Sequence, residues 1–256
     1  MTTTAGFFAP RSDTEQAAKD LKDELLGLIK SRSSATPRHR QVELGPSDIA
    51  HPCMRRLGYG LLQIERCNPE WDPLASIIGT ATHSWLESAA THANNTLGRN
   101  RWLTEVRVNP APWLQGSCDL YDTDTETVID WKVLGNTTFK RYCKAMNPQY
   151  RTQTQLYGKG FANAGRPVKN VGVFMVPRSG MLANSFLWMQ PYDPAAAQEA
   201  LDRRDQVVAL LNDLEIEKNP ERFAWLAKSG PSCMFCKYFA PNPASPYQCE
   251  GSGDDH

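Results

Sequence analysis

Asp119, Asp130 and Lys132 lie in one run, GSCDLYDTDTETVIDWKV, whose spacing can bring two carboxylates and an amine together. In an extended strand Asp130 and Lys132 are two residues apart and share a face. A hairpin turning at Asp124–Thr125 pairs residues whose numbers sum to 249, which sets Asp119 opposite Asp130. Facing carboxylates repel and raise one pKa unless a cation lies between them. Oxygen ligands suit a hard divalent ion, Mg²⁺ or Mn²⁺, able to polarise a phosphoryl oxygen and acidify a bound water. Lys132 would orient that water or stabilise charge at the phosphorus. Alone, however, D-x-K is more often a surface hairpin with a cross-strand salt bridge.

Two helical pairs flank this run. In GTATHSWLE, His83 and Glu87 are four apart and share a helix face. Their apolar neighbours predict a face turned inward, where an unpaired carboxylate is costly. The pair reads as a buried hydrogen-bonded couple, or as an imidazole ligand with Glu87 orienting the site. In YRTQTQLYGKGF, Gln153 and Tyr157 are again four apart. They could hold a nucleotide or strand backbone; equally, Tyr157 is a core aromatic and Gln153 an exposed helix former.

The seven cysteines are an odd count, and the opening MTTTAGFFAPRSDTEQ lacks a secretory pattern. Thiolate ligation or burial is therefore favoured over disulfides. Cys233-Met-Phe-Cys236 is a C-x-x-C, followed by Cys249, with Cys53 far upstream. Four thiolates suit an iron–sulfur cluster or zinc. The gap before Cys249 holds three prolines, which makes Cys67 the substitute. Cys118 and Cys143 read as ordinary thiols.

The elements that must position these groups follow from periodicity. Helices are predicted over 14–32, from Ser47 past Pro52 to Leu57, and over 74–96, 137–146, 148–163 and 193–217. Strands are predicted over 102–108, 116–121, 127–134 and 171–176, with 185–189 pairing to the last. A three-strand meander that then crosses over through helices implies an α/β domain with a mixed sheet. The chain of 256 residues supports one core with extensions.

Charge is balanced, 28 basic against 28 acidic side chains, which excludes retention on DNA by bulk electrostatics alone. Arg38–Arg40 and Arg55–Arg56 read as solvated clusters. No apolar run approaches the ~20 residues of a membrane helix, so a cytoplasmic protein without membrane contact is expected.

In order, Gly79–His83–Glu87, Gly116–Asp119, Asp130–Lys132 and Gln153–Tyr157 resemble motifs of RecB-type nucleases in the PD-(D/E)XK superfamily. The resemblance implies an α/β PD-(D/E)XK core over 74–190, with an N-terminal helical extension over 1–73 and a C-terminal helix and cysteine-rich tail over 191–256. It implies that His83, Asp119 and Asp130 ligate Mg²⁺ or Mn²⁺, with the Trp131 carbonyl a further ligand. Lys132 would be the catalytic lysine, with Glu87 beside it in the catalytic set, while Gln153 and Tyr157 contact DNA or steady the site. The placement of Cys53, Cys233, Cys236 and Cys249 is similar to the iron–sulfur members, the AddB-type subunits and the RecB-like exonuclease of CRISPR adaptation (the fourth Cas family). In those, four thiolates hold a [4Fe–4S] cluster joining the extensions. The implied activity is exonucleolytic hydrolysis of DNA ends or single strands, in recombination, repair, phage DNA metabolism or CRISPR adaptation, in a bacterial or phage-infected cell. A homo-oligomer, or a recombination or CRISPR-adaptation partner, is implied with it. The alternatives are a catalytically weak DNA-binding or assembly module, or a zinc-stapled interaction protein.

Overall fold

The computed structural model describes residues 13–35, 44–68, 72–229 and 233–253; Arg38–Arg40 lie outside them. Residues 1–41 and 42–256 form two separate units. In the first, α1 spans Asp13–Ser34 and leaves Leu21, Leu25 and Leu28 exposed.

The second unit opens with α2 (Pro46–Ile49), whose N-cap is Gly45 rather than the expected Ser47. Proline is pre-organised for the first helical position, and this sets the earlier start. Pro52 then divides what the sequence suggests as one helix. The chain re-enters helix as α3 (Met54–Leu61), capped by Cys53, whose sulfur accepts from the Arg56 amide. The long α4 (Leu74–Leu97) ends at Gly98 in the left-handed conformation, φ 65°.

Five strands form one sheet in the order β1 (Trp102–Ala111), β2 (Leu114–Asp122), β3 (Thr127–Leu134), β4 (Asn170–Pro177), β5 (Phe186–Pro191). The β2–β3 hairpin has the expected register: Leu120 faces Ile129, Tyr121 faces Val128 and Asp122 faces Thr127. Strand β4 pairs parallel to β3, reached through α5 (Asn136–Lys144) and α6 (Pro148–Asn163), and β5 returns antiparallel. The sheet is therefore mixed, as expected.

Helices cover both faces. On one, Tyr157 and Phe161 of α6 pack with Val108, Cys118, Val128 and Val171. Gly160 lets α6 approach β1: a Cβ there would stand 2.7 Å from Val108 Cβ. Opposite, α4 lies against β1 and β3, where the His83 ring meets Trp131 edge-on at 5.8 Å. None of its residues is fully buried, and Trp85 is 65% exposed. His83 and Glu87 are half-buried, with His83 turned to the sheet, while Trp85 on another face of the helix is left uncovered. Periodicity reveals an apolar stripe, not whether enough sheet exists to cover it.

A further cluster joins Ile49, Leu57 and Tyr59 to Leu156, Leu211, Phe223 and Tyr238. The helix α7 (Pro194–Asp213), capped by Asp193, supplies part of it. It stops short of the expected residue 217, at Asn212–Asp213, two weak helix formers followed by Glu215 with φ 44°.

Candidate active site

The β2–β3 ladder stops at Leu120 and Ile129, and the next two residues are the aspartates of interest. Instead of a backbone pairing, Asp119 turns its carboxylate into the gap, where Oδ2 accepts the Trp131 amide at 2.6 Å. Its other oxygen lies 3.4 Å from His83 Nδ1. Burial alone would lower the His83 pKa, but the hydrogen bond and charge of Asp119 outweigh it and the net shift is upward.

Asp130 is 2% exposed and lies among donors from α6 and β3. Gln153 Nε2 donates to its Oδ1 at 3.1 Å and to the Tyr157 hydroxyl at 3.0 Å. Lys132 Nζ is 2.7 Å from Oδ2 and 4.9 Å from the centre of the Tyr150 ring. Although the ammonium is close, Asp130 Oδ2 makes no hydrogen bond of good geometry. Burial pushes the Asp130 carboxyl up to about 6; the Lys132 ammonium opposes the rise and the Asp119 charge adds to it. Gln153 is thus a buried support for Asp130, not an exposed helix former.

Sequence reasoning overlooked Glu105. It interrupts β1 with φ 49°, and its Oε2 accepts from Ser117 Oγ at 2.7 Å. Ligand atoms of His83, Glu105 and Asp119 all lie within 4.8 Å of one another. Glu87 is half-buried on α4 and is not part of that group. The histidine's acidic partner is Asp119, which corrects the reading of a His83–Glu87 couple. Isolated acidic residues in strands are ordinary, and only the left-handed backbone marks Glu105, a feature that sequence does not reveal.

No protein-family model and no curated protein matches the chain. Among solved structures, the chain is similar to the alkaline exonuclease from Laribacter hongkongensis. Identity is 20% over 74% of this chain and 97% of that one, with a TM-score of 0.46. The same exonuclease in complex with dAMP gives 22% identity over the same shares, also at 0.46. A phage-related exonuclease from Haemophilus somnus 129PT gives 14% over 64% and 82%, at 0.42.

Away from the acidic centre, Cys53, Cys233, Cys236 and Cys249 line a single cavity with His51, Tyr59 and Tyr238. All seven cysteines are free thiols. Backbone amides point at three of the cavity sulfurs: Arg56 at Cys53 (3.4 Å), Gly251 at Cys249 (3.4 Å) and Ser252 at Cys233 (3.3 Å). Cys67 does not line the cavity, and its sulfur is directed to the Phe239 carbonyl at 3.6 Å. Around the cavity, the Tyr59 hydroxyl donates to the carbonyls of Pro246 and Gln248. Arg55 donates to the Ala224 carbonyl at 2.6 Å. Arg55 is buried, so the Arg55–Arg56 pair is not the solvated cluster expected.

Proposed function

We propose that this protein is a divalent-metal-dependent DNA exonuclease of the RecB-like PD-(D/E)XK type. The observation that carries the reading is the gap between β2 and β3. There two aspartates and a lysine converge, with one buried carboxylate oxygen, Asp130 Oδ2, lacking a well-formed hydrogen bond. A hard cation fits that donor set, held by Asp119, Asp130, His83 and Glu105, with the Trp131 carbonyl as a further ligand. When bound, Mg²⁺ or Mn²⁺ polarises a phosphoryl oxygen and lowers the pKa of water. Lys132, steered by Asp130 and the Tyr150 ring, donates to the phosphate or to the attacking water. Gln153 fixes the Asp130 carboxylate, and Tyr157 in turn anchors Gln153. The deciding experiment is digestion of end-labelled single- and double-stranded DNA with Mg²⁺, Mn²⁺ or chelator; intact DNA under every condition overturns the proposal. Among the described residues no helix is long and apolar enough to cross a membrane.

Two expectations follow for the metal. Because the Asp130 carboxyl is raised to about 6, a proton competes with the ion below that pH. Mn²⁺ affinity is expected to hold above pH 6 and to fall about tenfold per unit below it, as measured by calorimetric titration. Glu105→Gln is expected to raise the Mn²⁺ concentration for half-maximal cleavage by about 10–100-fold. Glu87→Gln should have the smaller effect, and a reversal of that order would remove Glu105 from the ligand set.

For the second centre, we propose that Cys53, Cys233, Cys236 and Cys249 hold a [4Fe–4S] cluster. The donor chemistry fits: four thiols line one cavity, and three of their sulfurs accept backbone amides. Absorbance near ~400 nm in purified protein supports the cluster, and colourless protein carrying zinc overturns it.

A further inference from the structure

A row of exposed side chains runs along β2 from the acidic centre to the tip of the β1–β2 hairpin. Counting back from Asp119, Ser117, Gln115 and Trp113 are exposed, whereas Cys118 and Leu114 between them are buried. On β1 the exposed alternates are Glu105, Arg107 and Asn109, with Arg107 directly opposite Ser117. The hydrogen bond from Ser117 to Glu105 joins the row to the acidic centre.

At the far end the Trp113 indole is 44% exposed. The Arg204 guanidinium of α7 stacks over it, 4.2 Å from the ring centre. Arg204 Nη1 binds Asp205 at 2.8 Å, while its Nε is buried without a hydrogen-bond partner. A groove of about 530 Å³ opens beside the stack, lined by Gln63, Asn109, Gln115, Trp113 and Arg204 among others.

We propose that this row is the track of a single nucleic-acid strand leading away from the cutting centre, with one base stacked on Trp113 at its end. The proposal rests on the nuclease reading and adds to it where the strand lies. Hydroxyl, amide and guanidinium groups along the row suit phosphate and sugar oxygens. An indole backed by a guanidinium is a sequence-tolerant platform for a base. The quarter-exposed Arg204 side chain adds positive charge beside that base, where a neighbouring phosphate would lie. Trp113, just before β2, and Asp119 are six positions apart, about 20 Å of extended chain, so a dinucleotide held at the acidic centre ends short of the indole.

The test compares binding of fluorescent oligothymidylates of two and twelve residues, by anisotropy in chelator, to wild type and to Trp113→Ala, Trp113→Phe and Arg204→Ala. Trp113→Ala is expected to weaken the twelve-residue strand about tenfold. Trp113→Phe keeps a ring and should stay within about threefold of wild type. Arg204→Ala should weaken the long strand and flatten its salt dependence. The dinucleotide should be indifferent to all three. Unchanged binding of the long strand by Trp113→Ala, or equal losses for both lengths, overturns the track. If wild type still cleaves DNA in Mn²⁺, the nuclease reading survives that failure. If wild type neither binds nor cleaves, both fall.

Discussion

Asp119→Asn is expected to lower DNA cleavage by at least about a thousandfold while leaving the fold intact. A single preorganised donor at a reaction centre is typically worth 10²–10³ in rate, and Asp119 touches more than one partner there. It contributes charge beside His83 and belongs to the tight group with Glu105. Asparagine suits the test because its side-chain oxygen can still accept the Trp131 amide. Alanine would strand that amide, at a cost of about 1–3 kcal/mol, and confuse stability with chemistry. Cleavage of end-labelled DNA and thermal unfolding together decide the matter. Wild-type activity in the asparagine variant would remove Asp119 from the reaction.

Cys233→Ala should produce the largest loss of stability. The cavity joins Cys53 to thiols some 180 residues later, and in the chain-entropy model closing such a loop is worth about 5 kcal/mol. One missing ligand forfeits much of this, and at about 2–4 °C per kcal/mol the melting temperature should fall on the order of 10 °C. Cys67→Ala is the control, since that sulfur does not line the cavity. Its melting temperature and iron content should match wild type. Equal losses in both variants would mean that the thiols matter by packing alone.

The sequence carries the register of the β2–β3 hairpin up to the acidic centre, but not the centre's surroundings. The polar turn between Asp122 and Thr127 sets the pairing as far as Leu120 and Ile129, but the ladder ends there, and Asp119 meets the Trp131 amide and His83 rather than facing Asp130 across a backbone pair. Pro148 and the following periodicity fix α6 over 148–163. Strand β1 runs past its expected end at Val108 to Ala111, through Pro110. It is an edge strand, where proline costs no ladder bond on its open side. Glu105 is hidden in the sequence because it depends on a left-handed residue in β1, and periodicity alone leaves Gln153 open because its burial comes with Asp130, more than twenty residues away in sequence. The exposure of α4 likewise depends on how much sheet there is to cover it. Local pattern encodes none of these three.

The packing of Leu57 and Tyr59 against Leu211, Phe223 and Tyr238 has a consequence for biosynthesis. Those early residues leave the ribosome about 150 residues before their partners, a wait of roughly 8–30 s at 5–20 residues per second. Until then the segment around α3 has only Leu114 and Leu156 of its more distant partners to pack against. The core around α3 therefore closes only after Tyr238 has been made, which leaves the segment around Leu57 and Tyr59 the one most in need of a chaperone.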